Sequence, residues 1–292
     1  MSKNRNLPLH AAGPQSILVI GCGLIGTSLA LALKQAFPNF SFDGVELDSH
    51  HRDIARQHGV FDHLYETLPA KFYDLAILSV PIDVACTLLG KVGPLARLVM
   101  DVCSVKVPIC DVATNLGYGT SFAPTHPMAG LATEGPEQAH ADLFVDRAWL
   151  CMDGWPACQE ITFLLERIGA RVEYLPTPVD HDEAMAAVSH AIHLVSLSAM
   201  LAYGKTQAEP DRAWAPLTGP GFRDITRLSA SPSGFWVSTL LANAPFVTRQ
   251  LERVIAELQS FQSALSTNDG ERLKERLETA RLMNEEWRKN LR

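Results

Sequence analysis

Residues 16–26 read Ser16-Ile17-Leu18-Val19-Ile20-Gly21-Cys22-Gly23-Leu24-Ile25-Gly26. A short β-branched run closed by glycine has the signature of a buried strand. The apolar residues of 24–37 then recur at helical spacing and stop before Pro38, so a helix follows the glycines at once. A strand, G-x-G-x-x-G and a helix in that order form a cradle for a dinucleotide. Gly21 permits the tight turn, Gly23 lets the main chain approach a pyrophosphate, and Gly26 lets helix pack on strand. The phosphates then meet the positive end of the helix, at Leu24 and Ile25.

Glu46 stands twenty residues past Gly26, at the end of a second strand over residues 42–47. A carboxylate there accepts hydrogen bonds from ribose hydroxyls and repels the 2′-phosphate of NADP. Arg52, the nearest cation, reads as a solvated helix residue. The cofactor expected is therefore NAD.

Part of a second helix is expected at residues 54–58. Further strands are expected at residues 74–80, 98–102, 121–123, 149–152 and 171–174, with helical stretches between them. That alternation means a doubly wound parallel sheet, whose ligands bind off the carboxyl ends of the strands. Ser79 and Pro81, at the carboxyl end of the third strand, join the expected cofactor contacts. The character changes near Pro176 and Pro178, after which only helical patterns follow, over 182–203 and 243–265 and through Leu273, Leu277, Ala280, Met283 and Trp287. The expected fold is α/β: a Rossmann-type N-terminal domain over 15–178, behind a polar leader of residues 1–14. An all-α C-terminal substrate and dimerisation domain follows over 179–292.

The 292 residues are 47% hydrophobic and 20% charged, the balance of a globular protein with room for two domains. Lys plus Arg is 25 and Asp plus Glu is 32, a net charge of −7 without basic runs, so neither nucleic acid nor an anionic membrane surface is an expected partner. An anionic substrate must then be held by a few local cations. The six cysteines form no CxxC pair, which suits reduced thiols in a cytoplasm. The first fifteen residues lack the apolar core of a signal peptide, and no apolar run is expected to reach the ~20 residues of a membrane span.

Three segments carry candidate chemistry. In Asp101-Val102-Cys103-Ser104-Val105-Lys106, Ser104 faces the nicotinamide side of the cleft, caps the following helix, or does both. In Thr125-His126-Pro127-Met128-Ala129-Gly130, the proline places His126 in an extended loop at the sheet edge, where an imidazole can act as general base or serve as a structural hydrogen-bonding residue. In residues 218–227, a glycine-rich turn leads to Arg223 and Arg227, one helical turn apart. They form an anion clamp for a carboxylate, or a surface ion-pair network with Asp224. His190 and His193 share one helical face, while His181 lies ~13 Å or more along the axis, too far for one ion. No metal is expected; these histidines contact substrate or cofactor, or pack in a core or interface.

At these residues the chain resembles the prephenate/arogenate dehydrogenase family. GCGLIGTS, DVCSVK, HPMAG, the G-P-E…ADLF segment of residues 135–144, HD…SHAIH and GFRDITR follow in the family's order, with Trp236 behind them. The resemblance implies NAD-dependent oxidative decarboxylation of prephenate to 4-hydroxyphenylpyruvate in tyrosine biosynthesis, and a homodimer. It implies that His126 takes the C4-hydroxyl proton, that Ser104 helps hold this histidine and the nicotinamide, and that Arg227 binds a substrate carboxylate. Arg223, His190 and His193 are counted with the substrate site. Cys103, Thr27, the missing Leu-Pro within SHAIH, and Ala132 in place of a common glutamate depart from the pattern, with Glu134 two residues on. These departures leave arogenate or an aminated ring analogue as alternative substrates. A hydroxyacid or imine reductase and a non-catalytic NAD-binding redox sensor are the competing readings.

Overall fold

The computed structural model describes residues 15–130, 135–207 and 214–291. The polar leader, Ala132 and Glu134 lie outside the described residues. The eight strands are β1 (Ser16–Ile20), β2 (Ser41–Val45), β3 (His63–Tyr65), β4 (Tyr73–Leu78), β5 (Ala96–Asp101), β6 (Phe122–Pro127), β7 (Ala148–Met152) and β8 (Arg171–Leu175). They form one sheet in the order β3-β2-β1-β4-β5-β6-β7-β8. The order reverses at β1, so the crevice of a doubly wound sheet opens between β1 and β4.

Helices α1 (Leu24–Ala36), α2 (Ser49–Gln57), α3 (Ile82–Val92), α4 (Val107–Asn115) and α5 (Pro156–Arg167) alternate with the strands. The alternation of side chains along β1 divides the core between the two sheet faces. Ile17 and Val19 join Leu29, Leu33, Ile161 and Leu165 on one side, and Leu18 and Ile20 join Ile82, Leu89 and Ile109 on the other. Burial on both faces explains why this strand reads as an unbroken apolar run.

Two features differ from the sequence expectation. Three-residue β3 lies at the sheet edge, and its His-Leu-Tyr has neither alternation nor burial to mark it. The sheet is also not wholly parallel: β6 and β7 run antiparallel, with His126 opposite Leu150. Parallel neighbours need a crossover, usually a helix. The described chain between these strands holds only the short 3₁₀ turns Pro136–Gln138 and Ala141–Phe144.

Every described element after β8 is helical: α6 (Pro178–Met185), α7 (Ala191–Gln207), α8 (Pro220–Thr226), α9 (Ser233–Ala242), α10 (Ala244–Ser266) and α11 (Gly270–Asn290). A π turn over Ala186–His190 joins α6 to α7. Against the sequence expectation, the continuous run Pro178–Gln207 has the length and hydropathy of a membrane span. Four of its polar residues, His181, Asp182, His190 and His193, are nonetheless buried within the protein. Contacts divide the chain into two compact units, Met1–Ala244 and Pro245–Arg292. In the second unit Asp269 caps α11 by accepting from the Arg272 amide, and Arg276 reaches back to Ser260 at 2.9 Å and Glu257 at 3.1 Å. Leu258, Leu277, Met283 and Trp287 remain exposed there.

Candidate active site

The carboxyl ends of β1, β2, β4, β5 and β6 carry the glycine loop, Glu46, Ser79, Ser104 and His126. At Gly21 φ is +90°, and a Cβ would stand 2.1 Å from the carbonyl oxygen of Ser79. At Gly26 a Cβ would stand 2.1 Å from the carbonyl oxygen of Gly21. Gly23 differs: nothing lies within 4 Å of its would-be Cβ, and it starts α1 with an extended φ of −77°. Protein atoms thus enforce two of the glycines, whereas open space beside the third suits a phosphate group against the helix start. The loop fits a dinucleotide.

The Glu46 carboxylate spans the loop mouth, accepting from the amides of Cys22 at 2.9 Å and Asp48 at 3.0 Å. Arg52 is not the solvated residue its position suggested. Its guanidinium donates to the carbonyl oxygens of Glu46 at 2.7 Å and Leu47 at 3.3 Å, and pairs with Glu66 at 2.6 Å. Ser79, whose amide donates to Ile20, and Pro81 at the start of α3 flank the switch point.

His126 is buried at the end of β6 rather than in a loop, because the antiparallel pairing with β7 extends the strand through Pro127. Its Nδ1 lies 3.0 Å from Nε2 of His181, whose Nδ1 lies 2.7 Å from the Asp182 carboxylate. A carboxylate only accepts, so His181 donates through Nδ1 and its Nε2 must accept. His126 then donates through Nδ1, leaving its own Nε2 as a proton acceptor. Burial, followed by the charges of His181 and Lys106, holds the His126 pKa well below 6.5. Burial and then Lys106 push His181 down to about 2. Both rings are neutral near pH 7.

Asp182 also accepts from the main-chain amides of Lys106 at 2.7 Å and Val107 at 2.8 Å. It therefore occupies the N-terminus of α4, the capping position open to Ser104 on sequence grounds. Ser104 is left half-buried at the carboxyl edge of the sheet. Lys106 extends inward to ion-pair with buried Asp101 and to donate to the Thr125 carbonyl at 2.6 Å, fastening the residue before His126.

The three histidines of the first helical segments take separate partners, unlike a metal cluster. His181 serves His126. His190 meets the Asn243 amide at 3.0 Å, and Asn243 in turn donates to the Asp182 carbonyl at 2.8 Å. Burial, which outweighs the attraction of Asp182, lowers the His190 pKa to about 4. His193 stacks on Trp236 with ring centroids 3.6 Å apart and 8° between planes. Trp236 also meets His190 edge-on at 6.1 Å. Arg223 lies in α8 and Arg227 begins the following turn; both are exposed, and neither pairs with Asp224 or any other carboxylate among the described residues. No direct contact joins either arginine to His126.

Comparison with known proteins sets these features in a family. A family model described as "Prephenate dehydrogenase, nucleotide-binding domain" matches residues 29–174, and one described as "Prephenate dehydrogenase, dimerization domain" matches residues 177–279. A prephenate dehydrogenase of Lactococcus lactis subsp. cremoris is 30% identical over 88% of this chain and 73% of its own length. A cyclohexadienyl dehydrogenase of Zymomonas mobilis is 29% identical over 89% of this chain and 91% of its own. The chain belongs to the prephenate dehydrogenase family.

Family membership makes the chain an NAD-dependent oxidoreductase. The fold also matches a solved prephenate dehydrogenase of A. aeolicus in complex with hydroxyphenyl propionate and NAD+. The TM-score is 0.85 at 23% identity, covering 94% of this chain and 99% of that one. The sequence singles out His126 as a candidate but carries no sign that His181 and Asp182 line up behind it. The adjacent His-Asp pair was visible, but its partners lie 55 and 76 residues away.

Proposed function

We propose that the chain catalyses the NAD-dependent oxidative decarboxylation of prephenate to 4-hydroxyphenylpyruvate, with His126 as base, in tyrosine biosynthesis. The observation that carries the reading is the hydrogen-bond series Asp182–His181–His126, with legs of 2.7 and 3.0 Å, which leaves Nε2 of His126 as acceptor. Prephenate bears a hydroxyl on C4 and, across the ring on C1, a carboxylate and an oxo-acid side chain. His126 takes the hydroxyl proton while hydride leaves the same carbon. NAD, when bound, supplies the hydride acceptor. The bond from C1 to its carboxylate then breaks, CO2 leaves, and the electron pair completes the aromatic ring. The C4 oxygen recovers its proton from His126, so no net proton is released.

The imidazolium formed in passing is met by His181 Nε2 and, through it, by Asp182. Aromatisation supplies the driving force, so these residues need only orient the substrate and hold one proton. Arg227 binds a substrate carboxylate, with Arg223, His190 and His193 around it. Ser104 faces the nicotinamide side and Glu46 the ribose, with Gly21, Gly23, Leu24, Ile25, Gly26, Ser79 and Pro81 lining the cofactor. The active species is a homodimer, a reading supported by the exposed apolar side chains of α10 and α11. Six free cysteines suit a cytoplasmic enzyme.

The test is NADH formation with prephenate and with arogenate, each with NAD and with NADP. Turnover of prephenate with NAD is expected. Silence with all four pairs, from protein that binds NAD, would overturn the assignment in favour of an aminated ring analogue or a sensor.

A further inference from the structure

Two buried polar groups in the first half of α7 have no partner among the described residues. Ser196 is 1% exposed and its hydroxyl bonds nothing; His193 is 2% exposed and its Nδ1 is equally unpaired. A helical serine commonly turns its hydroxyl back to the carbonyl four residues earlier. Ser198 does so to Leu194 at 2.8 Å, and Thr206 to Ala202 at 3.1 Å, on this same helix. The Ser196 hydroxyl makes no such bond. A buried hydroxyl left without a partner is unfavourable and calls for an explanation.

Its surroundings point to a ligand. Ser196 and Tyr203 are seven residues apart and share a helix face. Tyr203 packs edge-on against Phe222 of α8 at 4.8 Å, and α7 packs against both α8 and the Arg227–Ala230 turn. The Ser196 face is therefore turned toward the segment that carries Arg227. One helical turn back, His193 is stacked on Trp236, whose edge contact with His190 leads through Asn243, Asp182 and His181 to His126. Ser196 thus stands on a wall that links the base to the candidate anion clamp. With the C4 hydroxyl at His126, that wall meets the substituents of C1.

The charge balance of this wall is one-sided. Across α7, α8, the Arg227–Ala230 turn and α9 the charged side chains are Lys205, Arg223 and Arg227 against Asp224 alone. Asp182 is engaged by the Lys106 and Val107 amides and by His181. An ammonium here would meet a wall of net positive charge, with Asp224 its single carboxylate, and would face Arg227. An oxo group accepts a hydrogen bond from a hydroxyl at no such cost.

We propose that Ser196 is a specificity-determining residue whose hydroxyl donates to the oxo oxygen of the C1 side chain, beside His193, so that the oxo acid is preferred to its aminated counterpart. This rests on the oxidative decarboxylation proposed above. The test is Ser196→Ala in the full-length protein, with kcat and KM measured for prephenate and arogenate at saturating NAD; if arogenate is not turned over, its inhibition constant replaces its KM. The KM for prephenate should rise about three- to tenfold with kcat within about twofold, and the preference for prephenate should fall by the same factor. The melting temperature should be no lower than wild type, because the hydroxyl has no protein partner to lose. Ser196→Thr, which keeps the hydroxyl, should restore part of the preference. An unchanged preference, or an equal loss on both substrates with a lower melting temperature, would overturn the assignment of Ser196 alone. Wild-type protein inactive on both substrates would overturn the functional reading and this proposal together.

Discussion

Nε2 of His181 stands 3.0 Å from Nδ1 of His126, and Asp182, 2.7 Å from the far side of the His181 ring, decides which of the two histidines donates. Because the carboxylate can only accept, the proton order along the series is set, and the accepting nitrogen of His126 is the one that faces away from His181. A neutral histidine with a defined tautomer is what a base for an alcohol proton requires.

Replacing His126 by Asn removes the acceptor and leaves the glycine loop untouched. A fall in kcat of about 10²–10⁴-fold is expected, with NAD affinity unchanged in a binding titration. A fall of less than about threefold would sink the assignment of His126 as the base.

Asp182→Asn keeps the shape and exchanges an accepting oxygen for a donating amide. The variant disturbs both the amides of Lys106 and Val107 and the tautomer of His181. Stability should drop by about 1–3 kcal/mol in urea unfolding, and kcat by at least about tenfold in the fraction that remains folded. Full activity in a folded variant would exclude Asp182 from the series.

The histidine pKa shifts give a signed pH dependence. His126, His181 and His190 are all held below 6.5, His181 near 2 and His190 near 4, by burial first of all. Below about pH 6.5 the unfolded chain binds more protons than the folded one, so stability is present above that pH and is lost as pH falls. Each histidine contributes a loss of about 1.4 kcal/mol per pH unit until its folded pKa is reached. A urea midpoint that stays constant from about pH 7 to about pH 5 would contradict this. The rate should likewise hold steady as pH falls through the usual imidazole range.

The glycine loop separates packing from ligand contact. Gly26→Ala forces a Cβ to within 2.1 Å of the Gly21 carbonyl oxygen and should cost about 1–3 kcal/mol of stability. Gly23→Ala meets no protein atom within 4 Å, so its melting should be close to wild type while NAD affinity falls roughly tenfold or more. Equal NAD affinity in Gly23→Ala would remove this residue from the phosphate site.

Arg227 is exposed and unpaired among the described residues, so no ion pair is lost when it is truncated. Arg227→Ala should raise the KM for substrate by about tenfold or more and change kcat far less, since the charge it meets is present before the transition state. An unchanged KM would take it out of the site.

What could be read along the chain and what could not divide by the range of the interaction. The first strand, the three glycines, the start of α1 at Leu24 and Glu46 were legible because strand burial, turn geometry and helix initiation depend on residues within a few positions of one another. The helical second half was legible from its periodicity. β3 was not, because an edge strand of three residues leaves no pattern, nor was the reversal of β7, whose connection from β6 holds only short 3₁₀ turns among the described residues.

At the site, local chemistry marked His126 as a residue able to take a proton, yet it could not say which of its nitrogens would be free. That was settled by folding, which carries α6 against the start of α4 and the end of β6. Asp182 thereby displaces Ser104 from the helix cap, and His181 comes within hydrogen-bond reach of a ring 55 positions away. A tautomer is chosen by the partner on the other nitrogen. When that partner arrives from a distant element, only the packed chain contains the answer.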